Sequence, residues 1–291
     1  MIAEDELKLA RERFNVIFQN TTVSVWDYIF ETRQIIQPVR SQELHGFEEI
    51  VEDVPDSLIE SGYVHPESAE AFRQMYDRMF AGEPHVEGIF RVQTADRNGY
   101  WYEHIRYNVL TDENGMSYAA VGMSTDVTKE VELQKKADSD PITGLLNHRA
   151  FSEQAEMILN QKGDYAPFMV LIDLDRFKSI NDNFGHAVGD QMLCYTGSCI
   201  ADIIKANGQK AIIARAGGDE FAILFYDCEK KQVEKFAEEL LERLARPSLE
   251  EIRLSASIGI ASFPKDGETF EKLGEAADRI LYYVKRHGKR N

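Results

Sequence analysis

The sequence predicts an α+β chain of two domains. An antiparallel-sheet domain comes first, and an α/β domain with a central sheet flanked by helices follows. Three observations carry this. The 291 residues suffice for two ordinary domains. The segment VEGIFRVQT–ADRNG–YWYEHIRYNVLT–DENG–MSYAAVGMSTDV reads as three strands joined by two Asn-Gly turns, a meander signal. From residue 139 the pattern changes to alternating helix and strand.

The elements follow in order. The N-terminal segment, 1–19, reads as an amphipathic helix, with Leu7, Ala10, Phe14, Ile17 and Phe18 on one face over residues 4–19. Strands TVSVWDYIF and QIIQPV come next, with turn formers at Glu31–Arg33, then short helical pieces around 41–52 and 67–80. The meander closes this domain, 20–126. Residues 127–138, VTKEVELQKKAD, are polar and helix-forming; a helix that carries a signal between domains and a plain solvated linker both fit. In 139–291, NHRAFSEQAEMILNQK is helical and PFMVLIDLD a buried strand. AVGDQMLCYTGSCIADIIKAN is a long helix, and KAIIARAGGDEFAILFY a strand, a tight turn and a strand. A helix (QVEKFAEELLERLA), a strand (RLSASIGIASF) and a helix (TFEKLGEAADRILYYVKR) complete the domain.

Composition bounds the function. Hydrophobic residues make up 43% and charged residues 29%, a globular balance. No apolar run is long enough to span a membrane. MIAEDELKLARERF is acidic and amphipathic, unlike a secretory signal. Three cysteines, Cys194, Cys199 and Cys228, have no metal spacing and read as free thiols in a reducing cytoplasm. The net charge of −17 argues against nucleic acid or an anionic membrane as partner. The charge is uneven: 26 acidic against 13 basic residues fall in 1–138, and 24 against 20 in 139–291. A polyanion site therefore belongs in the second half, built from local lysines and a metal.

Gly217 and Gly218 sit between two apolar strands, with Asp219 and Glu220 next. Paired glycines permit positive φ and close approach of a phosphate. Two carboxylates beside that gap suit Mg²⁺, a hard ion that takes carboxylate and phosphate oxygens. A hairpin turn with solvated acids is the bland alternative. Strand FMVLIDLD ends in Asp173 and Asp175, the place where ligands bind in α/β sheets, so Asp173 could share a metal with Asp219. Asn181 and Asp190 could read a guanine edge: the carboxylate accepts from N1–H and N2–H, and the amide donates to an acceptor.

DLDRFKSINDNFGHAVGD resembles the D-x-D-x-F-K-x-x-N-D-x-x-G-H-x-x-G-D block of the diguanylate cyclases, and Gly217–Phe221 is their GGDEF motif. DPITGLLNHRAF at 140–151, SASIGIA at 255–261 and ADRILYYVKRHGKRN at 277–291 resemble their entry motif, last strand and last helix. The resemblance implies a nucleotide-cyclase-like fold and these roles. Asp173 and Asp219 hold Mg²⁺, or Mn²⁺ in its place, with the carbonyl of Leu174 helping. Glu220 lies beside the reacting 3′-hydroxyl as base or second metal ligand. Asn181 and Asp190 hold guanine, and Lys178 and Lys285 meet phosphates. Lys289 stands where many members carry Arg, which keeps the attraction and loses the fork. Phe177 packs under the site. His186 reads as a turn residue or a substrate contact, and Arg215 has no assigned role. The sequence stops at Asn291, where relatives usually continue into an edge strand. Either it is a shortened piece or the strand is dispensable, and stability near Lys285 is what this bears on.

Helix, strand, small helices and three antiparallel strands, ending in GMSTDVTKEVEL, resemble a PAS sensor domain over about residues 10–128. No cysteine lies in 1–138, which excludes a cysteinyl–flavin adduct. His45, His65, His85 and His104 are the available haem ligands, but His65 sits in a V-H-P turn and reads as structural. A small-molecule ligand, or none, fits better. The implied activity is a homodimer condensing two GTP. The rivals are a non-catalytic interaction module and a cyclase making a mixed dinucleotide; Asp190 argues against the second. Many relatives bind product through an R-x-x-D motif before the glycines. Its positions here are Gly208 and Ala211, so tight product inhibition is expected to be absent.

Overall fold

The computed structural model describes residues 23–96, 98–161, 166–247 and 251–287. The expected 1–19 helix and Lys289 lie outside them. The chain forms two compact units, Met1–Leu133 and Gln134–Asn291. Among the described residues, no helix is long and apolar enough to cross a membrane.

The first unit contains strands β1 (Val23–Ile29), β2 (Gln34–Ile36), β3 (Ile50–Val51), β4 (His85–Gln93), β5 (Tyr100–Thr111) and β6 (Ser117–Asp126). They make one sheet in the order β3-β2-β1-β6-β5-β4, antiparallel throughout. Helices α1 (Val39–His45), α2 (Asp56–Glu60) and α3 (Pro66–Phe80) lie between β2 and β4 in the chain. The helix expected over 41–52 is shorter. Gly46, at φ +71°, closes α1 by donating its N–H to the Gln42 carbonyl at 2.7 Å. Residues 50–51 then pair as strand β3, and α2 was not apparent from the pattern.

The meander is as expected, but its turns are built on aspartate. Asp112 Oδ1 accepts from the N–H groups of Asn114 at 2.9 Å and Met116 at 2.8 Å, with Gly115 at φ +79°. Asp96 Oδ1 accepts from the Thr94 hydroxyl at 2.5 Å and the Asn98 N–H at 3.1 Å. Neither asparagine has positive φ, so both loops are Asx turns.

One face of this sheet is apolar because alternate residues point to it. Trp26 and Tyr28 of β1, Val86, Phe90 and Val92 of β4, and Ile105 and Tyr107 of β5 are buried there with Phe72, Met75, Tyr76 and Met79 of α3. Gly122 of β6 is required by this packing: a Cβ there would meet Trp26 Nε1 at 2.2 Å and Tyr107 Cε1 at 2.6 Å.

Helix α4 (Thr128–Asp138) buries none of its residues, as its polar composition predicts. The second unit continues with α5 (His148–Leu159), β7 (Phe168–Leu174), α6 (Phe177–Phe184), α7 (His186–Ala206), β8 (Lys210–Gly217), β9 (Glu220–Tyr226), α8 (Lys230–Leu244), β10 (Ala256–Ser262) and α9 (Phe270–His287). Its four strands run β10-β7-β9-β8, each pair antiparallel. Both faces are covered. Val170, Ile172, Phe221 and Ile223 pack with Met192, Ile200 and Ile203 of α7 and Phe236 and Leu240 of α8. Met169, Ala222 and Leu224 pack with Phe151 of α5 and Leu273 and Ala277 of α9. This two-sided burial is why β7 reads as an unbroken apolar run. Helix α6 was not expected; Gly185, at φ +86°, separates it from α7.

Candidate active site

The site forms where β7 ends and β9 begins. In register, Asp173 of β7 stands opposite Glu220 of β9. The Leu174 N–H donates to the Asp219 carbonyl at 3.2 Å, which fixes the turn against the strand end. Gly218, at φ +53°, sits in a conformation that favours glycine. A Cβ at Gly217 or Gly218 would meet nothing within 4 Å, so the turn faces open space in which a ligand can approach.

Three carboxylates therefore crowd one corner. Burial lifts the Asp173 carboxyl above its ordinary range; a hydrogen bond from Lys285 opposes this, and the Asp219 charge adds to it. Burial also raises Glu220, helped by the charge of Asp173. Among the described residues, the cation seated among them is Lys285, whose Nζ lies 2.5 Å from Asp173 Oδ2. Burial works against its charge, but Asp173 wins and holds the lysine above its usual range. Helix α9 brings Lys285 there by close backbone approach. A Cβ at Gly259 of β10 would meet the Ala277 carbonyl at 2.2 Å. Among the described residues, no three His, Cys, Asp or Glu side chains are gathered tightly enough to hold a metal ion as they stand. The donor set of Asp173, Asp219 and Glu220 nevertheless suits a hard divalent cation: all ligands are oxygens, and their mutual repulsion is relieved by positive charge alone.

Asn181 and Asp190, the pair expected to read a base, lie on α6 and α7. Gly189 is the residue that brings these helices together: a Cβ there would stand 1.8 Å from Asn181 Oδ1 and 3.3 Å from Phe177 Cζ. Asn181 is half-buried, Asp190 and Lys178 are exposed, and Phe177 is buried beneath them. His186 is exposed at the first position of α7.

The structure adds residues that the pattern left unassigned. Arg215 donates from Nε (2.9 Å) and Nη2 (2.7 Å) to the Gly218 carbonyl, and from Nη1 to Asp140 at 3.1 Å. It clamps the glycine turn from behind. Asp140 is itself fixed, accepting from the Thr143 N–H and hydroxyl. Burial opposes its charge, but these bonds and Arg215 hold its carboxyl below the usual range. Asp175 accepts from the Ser255 and Ser257 hydroxyls, both at 2.9 Å, so it ties β7 to β10 rather than facing a ligand. Arg176 follows at φ +56°, a strained position at the mouth of the site. A D-x-D at a strand end facing S-x-S on the neighbouring strand was the available signal for Asp175. Arg215 and Asp140 are 75 residues apart and gave none.

This geometry matches a known family. Residues 137–291, over half of the chain, match the model described as diguanylate cyclase, GGDEF domain. The chain belongs to the GGDEF domain family. It is 39% identical over 167 residues to the biofilm architecture maintenance protein MbaA of Vibrio cholerae, covering 53% of this chain and 21% of that protein. It is 37% identical over 164 residues to MucR of Pseudomonas aeruginosa, named a bifunctional diguanylate cyclase/cyclic di-GMP phosphodiesterase, with 54% and 23% covered. Identity with the cyclic di-GMP phosphodiesterase PdeR of Escherichia coli is 33% over 172 residues, with 57% and 26% covered. The chain thus spans roughly a quarter or less of these curated relatives. Among solved structures, the coiled coil and GGDEF domain of DgcB from Caulobacter crescentus, in complex with cyclic di-GMP, is 27% identical with a TM-score of 0.50. That match covers 56% of this chain and 87% of that one.

Proposed function

We propose that the second unit is an active diguanylate cyclase and that the first is a PAS-type sensor controlling it. The observation that carries the cyclase reading is the meeting of Asp173, Asp219 and Glu220 beside an open glycine turn, with Lys285 between them. In the reaction, the 3′-hydroxyl of one GTP attacks the α-phosphate of another and pyrophosphate leaves; a second attack closes the ring to cyclic di-GMP. Little covalent work falls to the protein, which positions the substrate, neutralises charge and removes a proton. Asp173, Asp219, the Leu174 carbonyl and Glu220 would hold Mg²⁺ or Mn²⁺, which when bound neutralises the triphosphate and the leaving pyrophosphate. Glu220 faces the 3′-hydroxyl, and its raised proton affinity suits it to accept that proton. Asn181 and Asp190 hold guanine. Lys178 serves the phosphates, joined by Lys289 and, once Asp173 has another cation as partner, by Lys285. One such unit binds one GTP, so two chains must face each other and the working form is a homodimer. The antiparallel six-stranded sheet with helices on one face supports the sensor reading of the first unit.

The test is incubation of the full chain with GTP, ATP and Mg²⁺, with mass analysis of products. Cyclic di-GMP and pyrophosphate are expected, and Asp219→Asn should abolish both while the fold stays intact. Binding of GTP with no product would show a non-catalytic module, and a mixed dinucleotide would reassign the second base.

A further inference from the structure

The first unit has a partly open cavity of about 30 Å³, lined by Trp26, His45, Tyr63, Phe72, Glu103 and Tyr107 among others. Its walls are aromatic, with one carboxyl among them. Glu103 is 3% exposed, and its Oε2 has no hydrogen-bond partner. The other oxygen, Oε1, lies 3.4 Å from His45 Nδ1. That nitrogen is already engaged by the Tyr63 hydroxyl at 2.7 Å, and Nε2 by Ser24 Oγ at 2.9 Å. Tyr107 is likewise spent: it bonds the Tyr76 hydroxyl at 2.6 Å and accepts from Trp26 Nε1 at 2.8 Å. The remaining neighbours are the Ser124 hydroxyl, which bonds the Glu103 carboxyl, and the Asp126 charge, which repels it. Among the described residues, no lysine or arginine lines the cavity.

A buried carboxylate is costly without a partner, and among the described residues lining the cavity none supplies a positive charge. Aromatic faces around it attract a cation. The volume admits about two water-sized groups, far below the 300 Å³ or more of sites that enclose a drug-sized ligand or cofactor. We infer that this cavity is a binding site for a small primary alkylammonium ion of the size of methylammonium, its nitrogen on the Glu103 carboxylate and its methyl group against the aromatic rings. A second cavity, about 10 Å³, shares His45, Phe47 and Tyr63 with it.

In the empty site burial pushes the Glu103 carboxyl up to about 8, so at neutral pH it carries a proton. Binding the ammonium displaces that proton to solvent: R–NH₃⁺ plus the carboxylic acid gives the ion pair plus H⁺. Apparent affinity should therefore rise about ninefold from pH 6 to 7 and less than about twofold above pH 8. The inference rests on the sensor reading only for its purpose; binding itself is independent of turnover.

The experiment is calorimetric titration of the full chain with methylammonium chloride, with methanol and potassium chloride as controls. It is run across this pH range in two buffers of different ionisation enthalpy. Saturable binding of methylammonium alone, with release of close to one proton at pH 7 and this pH dependence, is expected. Glu103→Gln should fold, give an unchanged near-ultraviolet spectrum and lose at least tenfold in affinity. Equal binding of methanol, a pH-independent affinity, or no saturable heat would overturn the proposal and leave a cavity that holds water only. The pH dependence of the parent chain decides the matter even if the variant does not fold.

Discussion

Replacing Glu103 with glutamine should change how the stability of the first unit depends on pH, and the sign can be worked out from the structure. Burial raises Glu103 from 4.5 to about 8 and lowers His45 from 6.5 to about 4, so the pair sits neutral in the folded state. A raised carboxyl favours folding fully below its unfolded value, and that contribution is lost as pH climbs through the folded one. For Glu103 the loss runs from 4.5 to 8, about 5 kcal/mol at about 1.4 kcal/mol per unit. A depressed histidine does the reverse, contributing above 6.5 and losing about 3 kcal/mol as pH falls to 4. Between 4.5 and 6.5 the two cancel, because folding takes up one proton at Glu103 and releases one at His45. The parent should therefore be flat over that window and lose about 2 kcal/mol from 6.5 to 8. Glu103→Gln should instead gain stability up to 6.5 and stay flat beyond it. Urea denaturation followed by tryptophan fluorescence reads this unit alone, since the two tryptophans, Trp26 and Trp101, both lie in it. Had the pair been an ion pair, the glutamine variant would be the less stable of the two at pH 8. That result would refute the neutral network.

Asp190→Ser should weaken selection of GTP over ATP by about 1–3 kcal/mol, read by competition, because guanine donors lose their acceptor. Gly189→Ala should raise the KM for GTP at least about tenfold, since the new Cβ displaces the Asn181 amide that it would otherwise overlap. Arg215→Met should cost about 1–3 kcal/mol of stability and lower kcat more than it raises KM, as the turn loses its clamp while Asn181 and Asp190 are untouched. Added cyclic di-GMP should leave initial rates unchanged at low micromolar concentrations, because Gly208 is a bare turn residue at φ +64° and Lys210 is paired with Asp227 at 2.8 Å. Non-competitive inhibition there would reveal a product site built from other residues.

What was legible in the sequence was local. Asp173, the glycine pair, Asp219 and Glu220 could be read because a strand end and a two-residue turn fix their geometry within a few positions. Asn181 and Asp190 could be proposed as a pair because nine residues across one helix break set their spacing. The Asn-Gly pairs marked the meander correctly but for an imperfect reason: Asp96 and Asp112, a few residues earlier, organise the loops. Long-range pairing left no such trace. Glu103 occupies an inward position on a strand whose other inward residues are apolar, and nothing nearby in sequence shows that His45, 58 positions earlier, faces it. Arg215 was similarly unreadable, because its partners are a backbone carbonyl and an aspartate in the entry segment.

That entry segment explains how the turn is tied to the rest of its unit. Asn147 donates its N–H to the Asp138 carbonyl and its side-chain amide to the Ala137 carbonyl, both at 2.7 Å, at the last turn of α4. Arg149 pairs with the Asp138 carboxylate. One residue before Asn147, Leu146 pairs with β8, accepting from the Arg215 N–H at 3.0 Å and donating to the Ile213 carbonyl at 3.2 Å. Arg215 then holds the Gly218 carbonyl. A displacement at the C-terminal end of α4 thus reaches the glycine turn through Asn147, Leu146 and Arg215, without crossing the sheet core. This is a mechanical link, and it acts as a switch only where α4 has two arrangements that a signal distinguishes. Arg215→Met cuts the link at its last joint. It should therefore remove any dependence of turnover on the first unit's ligand while leaving that ligand's own affinity unchanged, and a ligand response that survives the substitution would place the coupling elsewhere.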